Sequence, residues 1–438
     1  MKRNWIPLAL LVATILGCGG SSVGVGSIAG LVLDMNGNPV RGARVFVDSG
    51  TPRETYSNTS GSYRLTGVNA EDLLVKAEYD DGGTVYVGQN LARVFDQSQS
   101  ANMTIVLIPS NQVASISGVV TGTGGIRIQG ARISAKPTNG TILSSVQTIA
   151  DGNGNYTLGG LAGGVTYQIQ ATFPGWESGE VQKTPSAGIV QTVNFQLGAN
   201  GDPILPAPSG MSLTAWTSPA EVTRDVEKVK VYDGIKKLID KRYNRTASSR
   251  LTSQGNPVEV QLYWDKFDSL QILGYEIWRQ RSTDSWNAVD FLRDPLAETY
   301  LDSDTNLRDG VNYSYSIAPS NTNYPNTDNS YGDFSSTVSV TPLSDMNVYA
   351  PTAAAGQVTF HWQAVTNAAT YTIYVFDEYP GLGVSSYDNN YNNPATGTDW
   401  TYNLTPLAAG HRYYYLIMGS NSDDSARTLS AIGSFIAP

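Results

Sequence analysis

The chain has 438 residues, of which 15% are charged, and its 28 basic and 38 acidic side chains leave a formal charge of −10. That balance argues against nucleic acid or an anionic lipid surface as the main partner. One cysteine, Cys18, and two histidines, His361 and His411, leave no disulfide framework and almost exclude a zinc site. The length suits three or four domains, and 44 Gly with 25 Tyr suit a turn-rich all-β protein.

The first segment reads as an address. Lys2 and Arg3 precede an apolar run, residues 6–16, that is too short to span a membrane as a mature helix. The string Ile15-Leu16-Gly17-Cys18 resembles a bacterial lipobox. The resemblance implies removal of residues 1–17 as a lipoprotein signal peptide, cleavage after Gly17, and attachment of diacylglycerol to Cys18. A third acyl chain on the new N-terminus exceeds the roughly two-chain threshold for lasting attachment. The expectation is an extracytoplasmic protein, lipid-anchored to the bacterial cell envelope through a tether over 18–26. Gly19 after the cysteine, in place of Asp, favours an outer membrane or cell-surface site.

Next comes a duplication. Ile28-x-Gly30-x-Val32 recurs as Ile116-x-Gly118-x-Val120, and Gly42-Ala43-x-Val45 as Gly130-Ala131-x-Ile133, all offset by 88 residues. Gly61-x-Tyr63-x-Leu65 matches Gly154-x-Tyr156-x-Leu158 at an offset of 93, so the second copy carries five extra residues between them. Period-two alternation, as in Val75, Ala77 and Tyr79 against Lys76 and Glu78, predicts short strands, with turns at 36–39, 59–61 and 151–154. The strings at 30–50 and 61–68 resemble the carboxypeptidase regulatory-like family, which implies transthyretin-like sandwiches over 27–109 and 113–199. Asp151-x-Asn153-x-Asn155 begins like a calcium loop, but Tyr156 stands where glycine is needed and no Glu follows at the twelfth position; it reads as a turn.

The second half repeats differently. Leu307-x-x-Gly310-x-x-Tyr313-x-Tyr315 matches Leu407-x-x-Gly410-x-x-Tyr413-x-Tyr415 at an offset of 100, and Trp264 matches Trp362 at 98. An early buried Trp with a corner tyrosine, here Tyr313 and Tyr413, marks immunoglobulin-like sandwiches. With the entry string 206–210, the pattern resembles fibronectin type III, over 203–343 and 346–438. Short linkers rich in Pro, Gly, Ser or Asp at 109–113, 198–208 and 342–345 favour an extended, semi-rigid stalk. The expected architecture is therefore all-β: four consecutive Ig-like or transthyretin-like β-sandwich domains.

The third domain carries an insertion over 218–256. Ser218-Pro219-Ala220-Glu221 reads as a capping box with Pro at the first helical position, and apolar residues from Val222 to Tyr243 follow at helical spacing. The stripes fall out of phase near Asp233-Gly234, which predicts a kink or break. Arg224, Lys228, Lys230, Lys236, Lys237, Lys241, Arg242, Arg245 and Arg250 make it the basic part of an acidic protein. Two uses follow: a docking surface for an acidic partner or phosphate headgroups, or the solvated face of a helix packed on its own sandwich, with Asp225, Glu227, Asp233 and Asp240 neutralising much of the charge.

In the fourth domain Tyr379, Tyr387, Tyr391 and Trp400 alternate with Asn389, Asn390, Asn392 and Asn393. Flat aromatics beside amides suit sugar or peptide contact, so these four are the candidate ligand-binding residues; strand packing is the alternative for Trp400. No Walker loop, dinucleotide fingerprint or HExxH motif is present, and neither histidine has a nucleophile-elbow or other triad context. The expectation is no enzyme, no cofactor and no metal. The leading reading is a membrane-anchored stalk or adhesion module that contacts protein or glycan. The alternative is a carbohydrate-binding accessory lipoprotein of a polysaccharide uptake or degradation system.

Overall fold

The computed structural model describes residues 25–438 apart from 49–52, 59–60, 70, 95–99, 139–144, 202, 223–225, 243–256, 322–330, 355–356, 381–385 and 404–405. Gly17 and Cys18 lie outside the described residues. Among the described residues the fold is all-β with one α-helix, Val226–Arg242.

The two N-terminal copies share a build. In the first, strand Val25–Leu33 pairs antiparallel with Ser62–Asn69 and parallel with Ser100–Val106, and a five-stranded sheet lies across from them. In the second, Val113–Thr121 pairs antiparallel with Asn155–Ala162 and parallel with Val190–Thr192, opposite a four-stranded sheet. The alternation read in the sequence places Val45, Val75 and Ala77 in the first core, and Ile133, Ile169 and Ala171 in the second. The repeated I-x-G-x-V motif has a steric cause. A Cβ at Gly30 would land on the Met103 carbonyl, and one at Gly118 on the Val193 carbonyl, because the parallel neighbour crosses there.

The third and fourth sandwiches are not separate beads. Strand Ser212–Thr217 pairs antiparallel with Val258–Tyr263 on one edge and parallel with Ala426–Leu429 on the other. An eight-stranded sheet thus runs through both sandwiches, and one continuous apolar core extends from Leu205 to Ala437. Joining the two edges removes two rows of unpaired backbone groups that would otherwise invite aggregation. The coupling between these sandwiches therefore comes from a shared sheet rather than from prolines in the linker.

The helix corrects three expectations. Its first described residue is Val226, while Ala220–Val222 form a turn closed by Val222 N–H donating to the Pro219 carbonyl at 2.9 Å. The helix passes through Asp233-Gly234 without a break, since Tyr232, Ile235 and Ile239 keep a three-then-four spacing on one face. It also does not pack on its own sandwich alone. Val231, Tyr232, Ile235 and Ile239 bury against Tyr374, Phe376, Leu416, Met418 and Leu429 of the fourth sandwich and Trp216 of the third. A 17-residue helix containing glycine is marginal by itself. Burying each large apolar side chain contributes roughly 1.5–3 kcal/mol, so docking holds it.

Candidate functional site in the fourth sandwich

Two of the candidate residues, Tyr387 and Tyr379, sit against strand Arg412–Ser420, where consecutive side chains alternate between faces. Tyr387 packs against Tyr413 at 5.4 Å, and its hydroxyl donates to the Pro406 carbonyl at 3.0 Å. Tyr379 packs edge-on against Tyr414, also at 5.4 Å. Tyr413 belongs to the shared core, whereas Tyr414 packs with the helix-side cluster, so Tyr387 and Tyr379 lie on opposite faces of the sheet. Trp400 pairs across strands with Phe360 and stacks on it at 6.3 Å, half-buried at the core margin. Tyr391 is half-buried as well. The structure thus does not assemble the four into one platform. Tyr379 at 47% and Tyr387 at 37% exposure are the two with accessible rings.

The interleaved asparagines divide by role. Asn390 is buried, accepting from Ile373 N–H at 2.7 Å and so closing an irregular edge against strand Thr370–Phe376. Asn392 and Asn393 are exposed. His411 is exposed, with Nε2 at 2.9 Å from the Asp377 carbonyl; His361 Nε2 lies 3.1 Å from Thr352 Oγ1. Among the described residues no group of three or more His, Cys, Asp or Glu is placed to hold a metal ion. Asp151 spends its carboxylate on its own turn, accepting from Asn153 N–H at 2.8 Å and Asn155 N–H at 2.9 Å, and these bonds hold its pKa below the usual carboxylate range.

The corner tyrosines bond backbone. Tyr313 accepts from Arg308 N–H at 2.9 Å, and Tyr413 from Ala408 N–H at 3.1 Å. A third instance went unread in the sequence: Tyr167 accepts from Ala162 N–H at 2.9 Å. Its signal was present, since Leu161-x-x-Gly164-x-x-Tyr167 repeats the same motif, and Gly164, Gly310 and Gly410 all take positive φ, at 80°, 68° and 76°. A second aromatic pair was also missed. Phe334, 42% exposed, meets Trp278 edge-on at 5.7 Å, and the Trp278 indole donates to Glu276 at 2.8 Å.

The basic insertion is partly explained by pairing. Lys236 is buried and bonded to Glu259 at 2.9 Å, and Asp240 is buried against Arg427 at 3.1 Å. Lys228 is half-buried; the other basic side chains named above lie outside the described residues. No helix among the described residues is long and apolar enough to cross a membrane.

Comparison with known proteins supports the N-terminal half most directly. The carboxypeptidase regulatory-like domain family matches residues 27–107 and 115–198, so the chain carries two such domains. No curated protein sequence matches the chain. Among solved structures, the chicken CNTN1 FN1-FN3 domains align at 11% identity and TM-score 0.30, over 83% of this chain and 97% of that one. The Bacillus anthracis TIE protein aligns at 10% identity and TM-score 0.18, over 68% of this chain and 45% of its own. Shaft pilin spaA from Lactobacillus rhamnosus GG aligns at 10% identity and TM-score 0.19, over 42% of this chain and all of its own.

Proposed function

We propose that this chain is a lipid-anchored, extracytoplasmic, non-enzymatic protein whose tandem β-sandwiches form a stalk or interaction module contacting protein or glycan. The observation that carries the reading is the continuity of the scaffold: two regulatory-like domains lead into two sandwiches fused by an eight-stranded sheet and a single core. Such a build suits holding a surface at a set place better than closing around a substrate. The leader ending in Gly17-Cys18 supports the anchor. Mass spectrometry of the N-terminal peptide from membranes tests it. A diacylglycerol adduct on Cys18, lost with soluble release in Cys18→Ser, is the expected result; an unmodified thiol ends the anchor reading.

The alternative, a carbohydrate-binding accessory lipoprotein, draws its support from the exposed rings of Tyr379 and Tyr387. Residues 24–438 applied in parallel to a glycan array and to solubilised envelope proteins separate the two. Saturable glycan binding that falls on Tyr387→Ala or Tyr379→Ala favours the carbohydrate reading, and retention of a specific envelope protein favours the interaction module. Silence on both arms counts against either ligand class.

A further inference from the structure

The second sandwich buries a polar sheet face that a lone domain would leave to water. On strand Arg132–Pro137, Ile133 and Ala135 point into its own core, so Arg132, Ser134 and Lys136 point outward. All three are buried, at 4%, 0% and 7% exposure, and so are the neighbouring Gln147, Gln168, Gln170 and Thr172. What covers them comes from two other sandwiches.

The first sandwich contributes Asp72, whose Oδ1 accepts from Arg132 Nη2 at 2.7 Å, while Arg132 Nη1 donates to Gln147 at 2.8 Å. Asn90 of the first sandwich accepts from Gln147 N–H at 2.9 Å and donates to the Ser145 carbonyl at 3.0 Å, extending the ladder. From the other side the third sandwich brings its 293–298 segment. Lys136 Nζ lies 2.9 Å from Glu298 and donates to the Leu296 carbonyl at 3.0 Å. Ser178 N–H also donates to the Leu270 carbonyl at 2.7 Å.

We propose that the outward face of strand Arg132–Pro137 is a two-sided clamp, Arg132 gripping the first sandwich and Lys136 the third, so that residues 25–343 move as one body with no hinge at either linker. Domains joined by short linkers ordinarily move against each other unless their interface prevents it. Here separation would strand two buried cations away from their carboxylates, the arrangement that costs most to break. The first linker adds no slack. Leu107 and Ile108 are buried, and one turn of 3-10 helix at Ser110–Gln112 leads straight into strand Val113–Thr121.

Spin-label distances test it in the full-length chain carrying Cys18→Ser. Labels on Tyr56→Cys with Glu180→Cys report the first joint, and labels on Glu180→Cys with Asp284→Cys the second; all three positions are exposed. Each pair is expected to give a single narrow distance. Arg132→Met should broaden the first and Lys136→Met the second, with far-UV circular dichroism unchanged. Should either unfold its domain, Asp72→Asn and Glu298→Gln break the same pairs from the neighbouring sandwiches and decide the matter. Broad distributions in the unsubstituted chain, or a narrow one that survives loss of its clamp pair in folded protein, would overturn the proposal.

Discussion

Gly118 and Tyr156 stand directly opposite each other on antiparallel strands, and both are shaped by one carbonyl, that of Val193. The carbonyl occupies the place a Cβ on Gly118 would need, and the Tyr156 hydroxyl donates to it at 2.7 Å. The first sandwich repeats the arrangement with Gly30, Tyr63 and the Met103 carbonyl, at 3.3 Å. The tyrosine ring covers the bare glycine, and its hydroxyl fastens the parallel strand that the glycine admits.

This relationship predicts opposite scales for two small changes. Gly118→Ala forces the parallel strand away and should cost at least about 1–3 kcal/mol, whereas Tyr156→Phe removes one hydrogen bond and should cost about 0.5–1.5 kcal/mol. Urea midpoints of the two variants check the order; an alanine at Gly118 that leaves the midpoint unchanged would contradict the steric reading.

The helix strap gives a second prediction. Arg427 has no exposed side-chain surface, bonds Asp240 of the helix at 3.1 Å and Asp424 at 2.8 Å, and lies 5.0 Å from the Trp216 ring centre. Arg427→Met leaves two carboxylates beside an apolar side chain and should cost about 3–5 kcal/mol, as for other broken buried pairs. Arg44→Met, which removes an exposed, solvent-screened pair with Glu54, should leave stability nearly unchanged. Hydrogen exchange over 226–242 should rise in the first variant and stay unchanged in the second.

A pH dependence follows from Asp294 at the joint between the second and third sandwiches. Burial pushes its carboxyl above the ordinary value, and hydrogen bonding, including that from the Leu296 N–H at 3.1 Å, with the charges of Lys136 and Arg132, only partly opposes that. A raised folded pKa stabilises the fold below the unfolded value, about 3.9, and that contribution is lost as pH rises through the folded pKa. Asp294→Asn, neutral throughout, should therefore gain stability relative to the parent as pH climbs from about 4 toward neutrality. Chemical denaturation at a series of pH values reads this directly, and a gain confined to acid would reverse the assigned sign.

The three corner tyrosines yield a fourth. Tyr167→Phe, Tyr313→Phe and Tyr413→Phe each remove an acceptor from the N–H five residues upstream. Each should lower stability by about 0.5–1.5 kcal/mol. Equal losses at all three would place Tyr167 in the same role as the other two; no loss at Tyr167 would make its bond incidental.

Much of the fold was legible because its signals are local. The offsets of 88 and 100 marked the two duplications, and Trp264 and Trp362 each meet a tyrosine, Tyr275 and Tyr371, at 5.2 and 5.1 Å. The candidate site was legible only as composition. Nothing in the spacing of Tyr379 and Tyr387 says that they fall on opposite faces, because that depends on which of Tyr413 and Tyr414 each one meets. The unbroken apolar strings at 373–376 and 413–418 did hold a clue: strands without alternation need cover on both faces.

Local patterning of Gly, Tyr, Trp and alternating apolar residues was enough to specify an all-β chain of multiple sandwiches, since strand period and turn chemistry act over a few residues. Which surfaces those sandwiches turn toward one another came only with the assembled chain. Arg132, Ser134 and Lys136 alternate with core residues as any solvated face would, and Lys236 and Asp240 read as ordinary helix charges. Arg132, Lys136 and Asp240 are buried against partners 60 to 187 residues away in sequence, Asp72, Glu298 and Arg427, and no local pattern encodes a partner that distant.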